Sequence, residues 1–136
     1  MSTTAHRPTR LILLDQTFWE ILPAHYHKIK QRWVKIATLH SSAQCDLRPS
    51  DRARAVESLK AELEMLEEDI SEYRNMVRGI DIADVAEMYV VAGKARQRAL
   101  QIAKEDFEDV EASLKGMEDK MHGIRVELVY GFENQP

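Results

Sequence analysis

Large apolar side chains stand at Val56, Leu59, Leu63, Leu66, Ile70, Tyr73 and Val77, with gaps of three and four alternating without a slip. Charged, small or polar residues fill the intervals, apart from Met65 and Met76. That spacing lines one face of an α-helix and predicts helix over 51–78. Trp19, Leu22, Tyr26, Ile29, Trp33, Ile36 and His40 repeat the step and predict a first helix over 17–42. Its start carries Thr17 and Glu20 in capping-box spacing. Pro23 falls inside the pattern, so it either kinks the helix or marks a restart after a short turn. A third stripe runs through Ile82, Ala86, Tyr89, Gly93, Arg96, Leu100, Ala103, Phe107, Val110, Leu114, Met117 and Met121. It predicts helix over 82–122 or longer.

The expected fold is all-α: a single domain over 1–136 built as an antiparallel helical hairpin or coiled-coil bundle. Residues 1–15 form an N-terminal arm, 43–50 a linker and 123–136 a C-terminal tail. Ser50 or Asp51 caps the second helix, and Gly79 ends it in the left-handed conformation. Asp81 caps the third helix after a connection too short for anything but antiparallel neighbours. One segment carries two periods. IRVELVY, 124–130, continues the third stripe through Ile124 and Leu128, yet it also alternates like a strand and has a possible mate in LILL, 11–14.

Charge adds a register. Between Ile21 and Cys45 there is no acid, but Lys28, Lys30, Arg32 and Lys35 are present, whereas Glu57 to Glu72 hold seven acids and one lysine. The same contrast recurs between Lys94–Lys104 and Glu105–Asp119. A hairpin closed about Gly79 and Ile80 sets residue 66 opposite about 94 and matches these blocks. Val110, Leu114, Met117, Met121, Ile124 and Leu128 would then project beyond the second helix. At about 1.5–3 kcal/mol for each large apolar group buried, such an overhang forgoes very roughly 9–18 kcal/mol gross. The expectation is therefore a homodimer joined through these six residues.

Composition narrows the class without naming a reaction. With 44% apolar and 31% charged residues, the chain is too apolar to remain disordered. A lone Cys45 excludes an internal disulfide and suits a reducing interior, and no apolar run is long enough to span a bilayer. A cytoplasmic protein without a membrane partner is expected. The net charge of −4 argues against a general nucleic-acid binder.

Candidate chemistry is sparse. His25 and His27 lie two apart and project about 200° from one another on a helix, so they cannot hold one metal ion together. Glu64, Glu67 and Glu68, with Glu105, Glu108 and Asp109, have a local spacing that resembles the magnesium-binding pairs of all-α nucleotide pyrophosphatases. On heptad positions they flank or oppose the core and diverge, which suits solvated faces better. No glycine-rich phosphate loop or nucleophilic constellation is present in the sequence.

Lys28, Arg32 and Lys35 share one face and form the best candidate for contact with nucleic acid or a partner, although the acids of the second helix offer them an internal use. The expected function is a non-enzymatic protein–protein interaction module without a cofactor. It would be an adaptor, scaffold subunit or inhibitor of a larger complex, of the small acidic all-α kind common among phage and mobile-element products. A nucleic-acid-binding regulator and the magnesium-dependent pyrophosphatase are the alternatives.

Overall fold

A computed structural model describes residues 17–45 and 48–130. All of its regular elements are helical. A π-helical turn, Thr17–Ile21, leads into α1, Leu22–Gln44. Then come α2, Pro49–Arg78; α3, Ile82–Val91; and α4, Arg96–Tyr130. Pro23 therefore sits at the second position of α1, behind a turn. The π-helical turn runs into α1 without a break, so Pro23 lies inside a continuous helix, where its missing N–H removes one ladder hydrogen bond beside the irregular turn.

Pro49 opens α2 at its first position, where a missing N–H costs no intrahelical bond, with the Arg52 amide bonded back to Arg48 O at 2.9 Å, so neither Ser50 nor Asp51 stands before the first turn. Arg52 reaches back to the end of α1, its guanidinium donating to Cys45 O at 3.0 Å. Asp81 does cap α3, its carboxylate accepting from the Ala83 amide at 2.9 Å.

Two expectations fail at glycines. The second helix does stop at Gly79, but the left-handed backbone among the described residues belongs to Gly93, at φ 104°. The turn at Gly93 divides the third predicted helix into α3 and α4. Locally the division is unforced, because Ala92, Lys94 and Ala95 are all compatible with helix. What it changes is the register. Glu67 pairs with Arg125, and Arg74 with Glu111 at 2.7 Å, far from the positions near 93 and 86 that an unbroken hairpin would set opposite them.

The segment 124–130 is helical throughout, as the last two turns of α4. Its strand reading is thereby overturned, and the proposed mate at 11–14 lies outside the described residues. Ile124, buried to 6% exposure, decides the outcome: it continues the inward face that Leu114 and Met121 begin.

The chain divides into two compact units. Among the described residues the first comprises 17–26 and Glu72–Glu111. Its core is Val85, Ala86 and Met88 from α3 with Ala99 and Ala103 from α4, and Phe18, Tyr89 and Phe107 pack against them. Small residues on α4 let the short α3 approach closely.

The second unit comprises His27–Ser71 and 112–130. Ile29 and Ile36 of α1, Leu59, Leu63, Leu66 and Ile70 of α2, and Leu114, Met121 and Ile124 of α4 are all buried there. Polar bonds tie each pair of these helices together: Arg32 to Asp69, Glu67 to Arg125, and His40 to Glu127. Lys28 meeting Asp69 and Lys35 meeting Glu62 show that α1 and α2 run antiparallel.

Candidate functional site

The first unit contains a cleft of about 390 Å³. That lies within the roughly 300–1,000 Å³ range of ligand pockets. The π-helical turn builds its mouth by presenting Phe18 and Trp19 in succession. Their rings meet edge to face, with centroids 4.9 Å apart and planes at 87°. Tyr89 of α3 stands at right angles to both, 6.1 Å from Phe18 and 6.0 Å from Trp19. Phe107 of α4 closes the back, 6.0 Å from Phe18. Tyr26 and Tyr73 line the other end, 5.8 Å apart and tilted. Edge-to-face rings are a favourable arrangement, worth about 0.5–1.5 kcal/mol per pair beyond burial. Trp19 nevertheless stays 53% exposed, so its indole remains available.

The cleft's charged groups are of one sign. Asp106 and Asp109 line it, and among the described residues no basic side chain does. The Tyr89 hydroxyl donates to Asp106 Oδ2 at 2.6 Å. Burial, reinforced by that neighbouring carboxylate, pushes the Tyr89 phenol up to about 12. Burial raises the Tyr73 phenol too, with a smaller effect from Tyr26. Both phenols therefore remain neutral donors at physiological pH.

The basic face has another employment. Arg32 donates to Glu62 at 2.6 Å and to Asp69 at 2.8 Å. Lys35 reaches Glu62 at 2.9 Å and Lys28 reaches Asp69 at 3.4 Å. Both acids are buried, Glu62 at 9% and Asp69 at 6% exposure. The hydrogen bond from Lys35, opposed by burial and helped by Arg32, holds Glu62 below the usual carboxylate range. For Arg32, burial works against the charge, but the bonds to Asp69 and Glu62 outweigh it and raise the pKa. The three cations singled out from the sequence are thus all engaged within the chain, three positive charges on two acids.

The expected self-association seam is also largely covered. Leu114, Met121 and Ile124 are buried within the second unit at 0%, 2% and 6% exposure, while Val110, Met117 and Leu128 are half-buried. The overhang depended on a register that the turn at Gly93 removes. The six carboxylates with magnesium-pair spacing do not converge. Glu67 is taken by Arg125 and Glu105 by Gln101. None of the six joins a described group of three metal-capable side chains with ligand atoms within 4.8 Å of one another.

A second hollow, of about 400 Å³, lies in the second unit beside Trp33, His40 and Glu127. Its acid is already engaged, Glu127 accepting from Gln44 and pairing with His40 at 2.7 Å. The aromatic cleft is the stronger candidate. Sequence reasoning placed Trp19, Tyr26, Tyr73, Tyr89 and Phe107 on core stripes and passed over Phe18 and Asp106. One signal was available: adjacent residues on a helix point about 100° apart, so Phe18 and Trp19 cannot both serve one stripe. No protein-family model matches the chain, and neither does a curated protein or a solved structure.

Proposed function

We propose that this chain is a non-enzymatic interaction module of the cytoplasm, an adaptor, scaffold subunit or inhibitor that receives part of a partner protein in its aromatic cleft. The observation that carries the reading is the half-exposed Trp19 set against Phe18 and Tyr89 at the mouth of that cleft. Exposed aromatic side chains in a concave setting are the usual anchors of protein interfaces. Self-association through α4 is not part of the reading, because Leu114, Met121 and Ile124 already have cover.

The charge pattern favours a protein over a nucleic acid. Rings that stack on bases work beside cations that hold phosphates. Here the rings stand beside Asp106 and Asp109, which repel a phosphate backbone, while Arg32 is held by Glu62 and Asp69.

The test is affinity capture from the native host with the tagged full chain and its Trp19→Ala variant, with and without nuclease. The expected result is a stoichiometric protein that survives nuclease and is lost with Trp19→Ala. A partner that disappears with nuclease would overturn the reading. So would one that the variant retains equally.

A further inference from the structure

We infer that the aromatic cleft of the first unit is a receptor for a guanidinium group, the occupant being an arginine side chain of the partner protein. The inference rests on the interaction reading above and adds the chemistry of what is recognised.

Three features of the cleft converge on a planar cation. The first is the rings. Phe18, Trp19 and Tyr89 stand mutually near 90°, which makes a corner with π-faces and ring edges on adjoining walls. A cation within about 6 Å of such ring centroids is attracted by their quadrupoles, and Trp provides the strongest face.

The second is the charge. Asp106 and Asp109 lie three residues apart on α4, which makes them neighbours on one helix face. Two like charges so placed repel each other, and no described basic residue of the lining stands between them. Asp109 is exposed and makes no hydrogen bond or ion pair with any described residue. A cation entering the cleft relieves that repulsion.

The third is the hydrogen-bonding geometry. Tyr89 donates to Oδ2 of Asp106, which fixes that carboxylate and leaves its other oxygen without a hydrogen bond to any described residue. Guanidinium suits this set better than ammonium. Its flat π-system stacks on a ring while its in-plane N–H groups reach carboxylates, and it sheds water more readily on entering an apolar cleft. At about 390 Å³ the space accepts the whole side chain together with part of its backbone.

The chain has two tryptophans, which supply a built-in control: Trp19 lines the cleft, and Trp33 belongs to the second unit. The indole N–H signals of the full chain would be followed by NMR during titration with N-acetylarginine amide. Its uncharged isostere N-acetylcitrulline amide, N-acetyllysine amide and tetramethylammonium would be titrated in parallel. The expected result is a saturable shift of Trp19 but not Trp33, with citrulline binding roughly tenfold more weakly or worse.

Asp109→Asn, at a site with no described partner to lose, should weaken arginine binding by roughly tenfold and leave citrulline unchanged. Equal affinity for citrulline, parallel shifts of both indoles, or no shift at all would overturn the inference. Lysine binding as tightly as arginine would remove the guanidinium assignment. Tetramethylammonium binding as tightly would replace the side chain with a free quaternary cation.

Failures of the two readings are distinguishable. Capture that depends on Trp19, in a protein that ignores the arginine amide, sinks the cation site and keeps the docking cleft. Arginine binding with capture indifferent to Trp19 does the reverse.

Discussion

Replacing Arg32 by Met keeps most of the buried stem and removes only the cation between Glu62 and Asp69. Breaking a buried ion pair from one side costs about 3–5 kcal/mol, mostly through the charge left behind. Two circumstances lower that figure. The Arg32 side chain is 21% exposed, so some water reaches the site, and Lys35 and Lys28 still face the two acids. The expected loss is about 2–3 kcal/mol.

If stranded charge is the cause, neutralising the acids must restore stability. Arg32→Met with Glu62→Gln and Asp69→Asn should recover at least about 1 kcal/mol. The pH dependence has a definite sign. In the intact chain the pKa of Glu62 is depressed. It therefore contributes stability that is present above about 4.5, the unfolded value, and lost as pH falls through the folded one. In Arg32→Met, Glu62 keeps Lys35 but loses the help of Arg32, so protonating it removes part of the stranded charge. The gap between wild type and variant should narrow as pH drops.

Urea unfolding followed by circular dichroism at about pH 7 and about pH 4 measures this gap directly. A gap that is constant or wider in acid would refute the argument. A single variant within about 0.5 kcal/mol of wild type would also refute it, since that is the range of ordinary surface changes.

Two glycines of α4 and its preceding turn should respond in opposite directions to alanine. Gly93→Ala meets no atom within 4 Å but must adopt φ 104°, so it should cost about 1 kcal/mol or more. Gly116→Ala, equally unobstructed and inside α4, should gain about 0.5–1 kcal/mol, and thermal unfolding of both variants checks the pair. Tyr89 holds its proton to about 12 in the folded chain, against about 10 for a free phenol. The stability this supplies is complete below about 10 and is lost as pH rises through about 12. Wild type should therefore decline relative to Tyr89→Phe across that window, and urea midpoints at stepped alkaline pH would show whether it does.

What the sequence disclosed was the local part of the fold. Leu59, Leu63, Leu66, Ile70 and Tyr73 are all buried, because a strict three-four step leaves a helix no other way to hide them. The pairing of Arg32 with the acids of α2 was likewise readable, since charges sort by sign whatever the side-chain detail. The turn at Ala92–Ala95 was not readable. Its residues continue a helical pattern, and nothing local distinguishes a small-residue seam from a break. A helix drawn straight through it displaces every long-range partner of α4 and makes an overhang of Leu114, Met121 and Ile124, which are buried. The cleft was hidden for the same reason. Tyr89 and Phe107 lie on one stripe of an unbroken helix, and only the reversal at Gly93 folds them toward Phe18.

That reversal has a practical side. Every residue from Val91 to Arg98 is exposed, and a side chain added at Gly93 would meet open space. Such a tip is where a folded chain tolerates cutting and enlargement best. It offers a natural place for limited proteolysis to open the first unit. It is also a place where an epitope or a fluorophore can be spliced in without disturbing Leu63, Ile36 or the aromatic cleft.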